Sequence, residues 1–218
     1  QNPDHFPAVF DLVNEDVTNE FQPLTEREHA FAQLTVGAVA SCVMVKGKRI
    51  HLAQTGDCRF YRAAADWKGG FRLLSQDHNT NHSGEMERLG PHLRSRDFVA
   101  CPFPGMEPHW TLTGEPDRLF RKDPDTGTYH ECLVPTRVFG DWNFLPAVTH
   151  RPECKVYPFS DELYALCSDG GNEIVKEVFA AFRGRTRSVP LEEIQIEAEK
   201  RLAGLDDDVT IVFFREKL

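Results

Sequence analysis

The chain opens on His5-Phe-Pro-Ala-Val-Phe10, an apolar run that stops at Asp11 and reads as a short strand. Residues 13–34 are acidic and amphipathic and predict a helix, with Thr25 as its N-cap and Glu28 three positions on at capping-box spacing. From Thr35 the period shortens to that of a strand. Thr35 to Val45 and Arg49 to Thr55, rich in Val, Ile and Thr, predict two strands joined at Lys46-Gly47-Lys48. A third strand, Cys58 to Arg62, follows the Gly56-Asp57 break, and a fourth, Phe71 to Leu74, follows Gly69-Gly70. Residues 79–96 predict a short helix. Residues 97–131 are dense in Pro, Gly, Asp and Thr and predict an irregular, flap-like insertion, since structureless stretches of that length in a domain usually serve function.

Strand patterns resume at Cys132 to Phe139, Lys155 to Phe159 and Glu162 to Cys167. Two helices follow, Asn172 to Arg183 stopped by Gly184 and Pro190 to Leu202 stopped by Gly204, before a last strand, Val209 to Phe214. In the second helix Leu191, Ile194, Ala198 and Leu202 form an apolar stripe at helical spacing. Strands in meanders with helices inserted in pairs imply an α+β layered fold built on antiparallel sheets. No repeat or linker divides the chain, so residues 1–218 are expected to form a single domain.

Composition narrows the class. With 218 residues, 40% apolar and 11% aromatic, the chain can bury a sizeable core without disulfide or metal staples, so a bound metal would serve chemistry. Its longest uncharged apolar run, Leu34 to Val45, falls short of the ~20 residues that span a bilayer. The 25 basic and 34 acidic residues leave a net charge of −9, which disfavours nucleic acid or an anionic membrane and leaves metals and cationic partners open. The six cysteines show no C-x-x-C pair and read as reduced thiols. No H-E-x-x-H zinc motif occurs among the nine histidines, and no glycine-rich nucleotide loop is present. His78 reads as a structural hydrogen-bonding residue, and Trp67, Trp110 and Trp142 as packing residues.

One regularity points to chemistry: acids recur where strands stop or start. Asp11, Asp57, Asp141, Asp169 and Asp207 each stand at such a place. Carboxylates meeting at one sheet edge raise one another's pKa unless cations neutralise them. Hard oxygen clusters suit Mg²⁺ or Mn²⁺, and a pair of these ions about 4 Å apart activates water for in-line attack on a phosphoryl group.

The ordered set Gly37-Ala-Val-Ala40, Thr55-Gly-Asp-Cys-Arg59, Leu74-Ser-Gln-Asp-His78, Arg137-Val-Phe-Gly-Asp141, Ser168-Asp-Gly170 and Asp207-Asp-Val-Thr210 resembles the successive motifs of the metal-dependent protein phosphatases, the protein phosphatase 2C family. The resemblance covers about four fifths of the chain. Within the family it is nearest to the pyruvate dehydrogenase phosphatases, through Asp77-His78-Asn79, Glu87-Arg88-Leu89, Leu133 to Asp141 and Glu173. It implies a β-sandwich of two antiparallel sheets flanked by helix pairs, with two Mg²⁺ or Mn²⁺ ions at one end. Asp169 and Asp207 resemble ligands of the core ions, and Asp57 and Glu173 those of a weaker third site. Arg59 and Asp141 resemble supports of the sheet edge. Phosphoserine and phosphothreonine proteins are the implied substrates, and cytoplasm or mitochondrial matrix the implied compartment.

The resemblance weakens at the amino end. Members carry an upstream Arg for the substrate phosphate, a Glu-Asp pair, and an Asp-Gly-His-Gly-Gly turn whose Asp bridges both metals. This chain has Phe10-Asp11-Leu12-Val13, so Asp11 stands as the candidate bridging carboxylate with the glycine turn lost. Only about 25 residues separate Asp11 from Gly37, room for one helix. The chain begins at Gln1 without Met, which is compatible with a piece of a longer active enzyme. The other expectation is a pseudophosphatase that kept the sandwich as a binding or regulatory subunit, with residues 97–131 as a flap for a protein partner.

Overall fold

The computed structural model describes residues 5–27, 37–64, 70–95, 97–101, 116–123, 125–185, 188–202 and 208–216. In chain order the elements are α1 (Phe6–Arg27), β1 (Gly37–Ala38), β2 (Ala40–Lys46), β3 (Arg49–Thr55), β4 (Arg59–Ala63), β5 (Phe71–Leu73), α2 (Ser83–Ser95) and β6 (Phe98–Cys101). There follow β7 (Arg118–Lys122), β8 (Tyr129–Leu133), β9 (Phe139–Gly140), β10 (Glu153–Pro158), β11 (Tyr164–Cys167), α3 (Asn172–Ala181), α4 (Leu191–Leu202) and β12 (Ile211–Phe214). The chain divides into two compact units, each made from two stretches: 1–40 with 77–153, and 41–76 with 154–218.

The second unit is a sandwich of two sheets, ordered β10-β3-β2 and β12-β11-β4-β5. Period-two alternation sends Phe60 and Tyr164 to one face of the four-stranded sheet, where they meet Ile50 and Leu52 of β3. Phe60 stacks on Tyr164 and Phe214 with ring centroids 5.9 and 6.0 Å apart. The alternate residues Tyr61, Ala63, Ala165 and Cys167 face the other way, under the apolar stripes of α3 (Ile174, Val178, Phe179) and α4 (Ile194, Ala198). This α+β sandwich with a helix pair against one sheet is the architecture the sequence predicts.

The first unit holds α1 and α2. Phe6 and Phe10, one helical turn apart, are buried, and the Phe10 ring lies 5.3 Å from that of Phe139 in β9. β9 pairs antiparallel with β1, Gly37 opposite Gly140. Leu89 of α2 packs with Phe98, Leu119, Val138, Phe144, Ala147 and Val148 in a separate core.

Two expectations are corrected here. Residues 5–10 are not a strand: α1 runs through them and through Thr25, which is an internal helical position and not an N-cap. Pro7 misleads the strand reading, because it lies in the first helical turn, where no intrahelical N–H is missed. Within the segment expected to be irregular, β6, β7 and β8 form a three-stranded antiparallel sheet with a register shift between Phe120 and Arg121; residues 102–115 lie outside the described residues.

Candidate functional site

The candidate acids of the second unit gather by strand register. β4 and β11 run antiparallel with Arg59 opposite Cys167, and β12 joins the other side of β11 with Ile211 opposite Cys167. The chain therefore enters β4 from Asp57, leaves β11 into Asp169 and enters β12 from Asp208 at one end of the same sheet. Ser168 fastens this edge: its N–H donates to the Thr210 carbonyl at 3.0 Å, and its Oγ accepts the Thr210 N–H at 3.1 Å. The Gly56-Asp57 corner turns through a left-handed glycine, φ 77°. Buried Gln54 holds that corner from beneath, its Nε2 lying 2.6 Å from the Cys58 carbonyl oxygen and 3.3 Å from those of Gly56 and Gln76.

Asp169 opens a short 3-10 turn, Asp169–Gly171, that leads into α3, and its side chain is exposed. The turn can lie this close to the sheet because residue 171 is glycine: a Cβ there would stand 2.9 Å from both Cys167 Cβ and Ile211 Cγ1. Burial pushes the Cys167 thiol up to about 12, so the sulfur beside this edge is no nucleophile at neutral pH. Glu173, in the first turn of α3, is exposed, and its carboxylate accepts from Lys176 Nζ at 2.6 Å and from Asn172 Nδ2 at 2.9 Å. Asn172 is buried and in turn accepts the Tyr61 hydroxyl. Asp207 lies outside the described residues.

Asp11 does not stand at a strand end, where the sequence reading had it. It lies on α1 in the first unit, its side chain 58% exposed, with Oδ1 2.8 Å from His150 Nε2. The register thus brings Asp57 and Asp169 to one edge with Glu173 close behind in sequence, and Asp11 is on a helix of the other unit. Among the described residues no three Asp, Glu, His or Cys side chains converge to hold a cation. A groove of about 540 Å³ between α4 and β12 is lined by Leu191, Ala198, Leu202, Ile211 and Phe213, with Glu199 the one titratable group among the described residues that line it.

Two further clusters lie in the first unit, and sequence reasoning missed the first of them. Glu85, fully buried on α2, receives Arg137 Nε and Nη2 on Oε1 at 2.8 and 2.6 Å. Its Oε2 receives Arg88 Nη2 at 2.9 Å and Thr136 Oγ1 at 2.7 Å. Burial alone would raise its pKa, but hydrogen bonds from Arg137, Thr136 and Arg88 and the charge of Arg88 prevail and lower it from 4.5 to about 2. The second cluster joins two motif residues: buried Asp141, at φ 46°, lies so near Gly37 that a Cβ there would fall 1.8 Å from Asp141 Oδ2. Glu85 and Arg88 stand at helical i, i+3 spacing, a local signal; the contribution of Arg137 is set by tertiary structure.

No helix among the described residues is long and apolar enough to cross a membrane. All six cysteines are free thiols. Residues 7–92 match the family model described as protein phosphatase 2C. No curated protein sequence matches the chain. A Caenorhabditis elegans sex determining protein is similar over 98% of this chain and 46% of its own, with 21% identity and a TM-score of 0.65. Serine-threonine phosphatase 2C from Toxoplasma gondii is similar over 97% of this chain and 66% of its own, with 14% identity and a TM-score of 0.61. A bacterial serine phosphatase covers 100% of this chain with 72% of its own, at 17% identity and a TM-score of 0.54. The chain spans less than two thirds of the length of the first two of these structures. The fold is therefore that of the protein phosphatase 2C structures.

Proposed function

We propose that the chain is a protein phosphatase 2C-type domain that, by itself, binds phosphoproteins or a protein partner as a regulatory subunit and hydrolyses phosphoserine or phosphothreonine weakly or not at all. One observation carries this reading: Asp11, the acid that the motif order puts at the bridging position, is on a helix and pairs with His150. A two-cation centre lacking its shared ligand cannot hold both ions at the spacing that activates water.

Turnover of p-nitrophenyl phosphate and of a phosphothreonine peptide with Mn²⁺, compared with the Asp169→Ala variant, tests it. Equal, background rates are expected. Mn²⁺-dependent turnover well above that of the variant overturns it.

The second reading, an active Mg²⁺- or Mn²⁺-dependent serine/threonine phosphatase, is favoured by the placement of Asp57 and Asp169 at one sheet edge, with Asp207 adjoining in sequence. In that reading Asp169 and Asp207 serve the core ions and Asp57 and Glu173 a weaker third site. The nearer likeness to pyruvate dehydrogenase phosphatases rests on Asp77-His78-Asn79 and Glu87-Arg88-Leu89, and would place the protein in the mitochondrial matrix. Arg88 of the second motif and Arg137 of the Leu133 to Asp141 stretch serve the Glu85 cluster, which supports a structural part for them.

A further inference from the structure

The segment between α3 and α4 inverts the charge of a chain whose net charge is −9. Arg183-Gly-Arg-Thr-Arg-Ser188 carries three arginines, and no acid occurs before Glu192. Buried Phe182 and Val189 pin the two ends of the loop into the helix-side core, and Arg183, Arg185 and Ser188 between them are exposed. Gly184 turns the chain at φ 76°, and the Arg185 guanidinium lies 5.9 Å from the centre of the Phe182 ring. The Ser188 hydroxyl donates to the local Arg185 carbonyl, at 3.1 Å.

We propose that Ser188 is a phosphorylation site for an arginine-directed protein kinase. Such a kinase selects its substrate by carboxylates lining the peptide groove, which pair with guanidiniums at fixed offsets before the hydroxyl. Here Arg185 stands three and Arg183 five positions before Ser188. In the transfer, Ser188 Oγ forms a bond to the γ-phosphorus of ATP, and the bond from that phosphorus to the bridging oxygen breaks. ADP leaves, and the hydroxyl proton passes to the kinase's carboxylate base. The product dianion could take charge-assisted hydrogen bonds from Arg185 and Arg183 in place of the weak contact to a carbonyl.

The test incubates the whole chain with the catalytic domain of an arginine-directed kinase and Mg-ATP, and locates the phosphoryl group by peptide mass spectrometry. Incorporation at Ser188 is expected, abolished in Ser188→Ala. A fall of about tenfold in the kinase's kcat/KM is expected when Arg183 and Arg185 are both changed to Gln, with the far-ultraviolet circular dichroism unchanged. On the unaltered chain, a kinase directed to acidic sequences should leave Ser188 unmodified. No incorporation, incorporation at Thr186 instead, indifference to the two arginines, or equal modification by the acid-directed kinase each overturns the proposal.

Discussion

Replacing Glu85 by Gln keeps the side chain's size and removes its charge, leaving Arg88 and Arg137 facing a neutral amide. Both guanidinium side chains are about a quarter exposed and recover some hydration, which moderates the cost. Breaking a buried ion pair by removing one partner typically costs 3–5 kcal/mol. An independent route gives a similar size: the fall of the Glu85 pKa from 4.5 to about 2 corresponds to roughly 3 kcal/mol of folding stability at neutral pH. Because the folded-state pKa is the lower one, that stability is present above pH 4.5 and is lost as the pH falls toward 2; about 2 kcal/mol of it is gone at pH 3. Urea unfolding of Glu85→Gln, followed by circular dichroism, should therefore show a loss of about 3 kcal/mol at pH 7 and about 1 kcal/mol at pH 3. A loss below about 1 kcal/mol at pH 7, or an equal loss at both pH values, refutes the reasoning.

Three further outcomes follow from the same kind of geometry. Gly37→Ala drives a Cβ into the Asp141 carboxylate and should destabilise by about 2 kcal/mol or more in the same assay; a change under about 0.5 kcal/mol shows that Asp141 yields freely. Tyr61→Phe removes the hydroxyl that Asn172 accepts and should cost about 1–2 kcal/mol, whereas an unchanged urea midpoint would mean that Asn172 finds water instead. His150→Ala breaks an exposed pair with Asp11 and should change stability by under about 1 kcal/mol, with a larger loss indicating that Asp11 has a buried role.

The second unit was the more legible in the sequence because its strands alternate cleanly. Phe60 against Tyr61 and Tyr164 against Ala165 divide between two faces, and the stripe of Leu191, Ile194 and Ala198 marks α4. The first element was not legible. Phe6 and Phe10 suit either a strand or a helical turn, and the choice is made by Phe139, more than a hundred residues away in sequence. Exposed Val9, Leu12 and Val13 add a second apolar face to α1 that blurs its period. β6 to β8 were hidden because the Pro-, Gly- and Asp-rich segment they frame dominates the local composition. The order of the motifs singled out Asp57 and Asp169, and the strand register puts both at one edge of the sheet. Asp11 was expected at a strand end because the first element was read as a strand, and it lies on a helix.

The pairing of Arg59 with Cys167 also governs how the chain must assemble. It joins positions roughly 100 residues apart, so the acidic edge cannot form until most of the polypeptide has been made, and folding should be slow for the chain's size. The same pairing means that neither unit can be excised as one continuous piece. A chain cut after residue 153 would retain β4 and β5 but lose both β11 and β12, leaving Asp57 at the margin of an unfinished sheet.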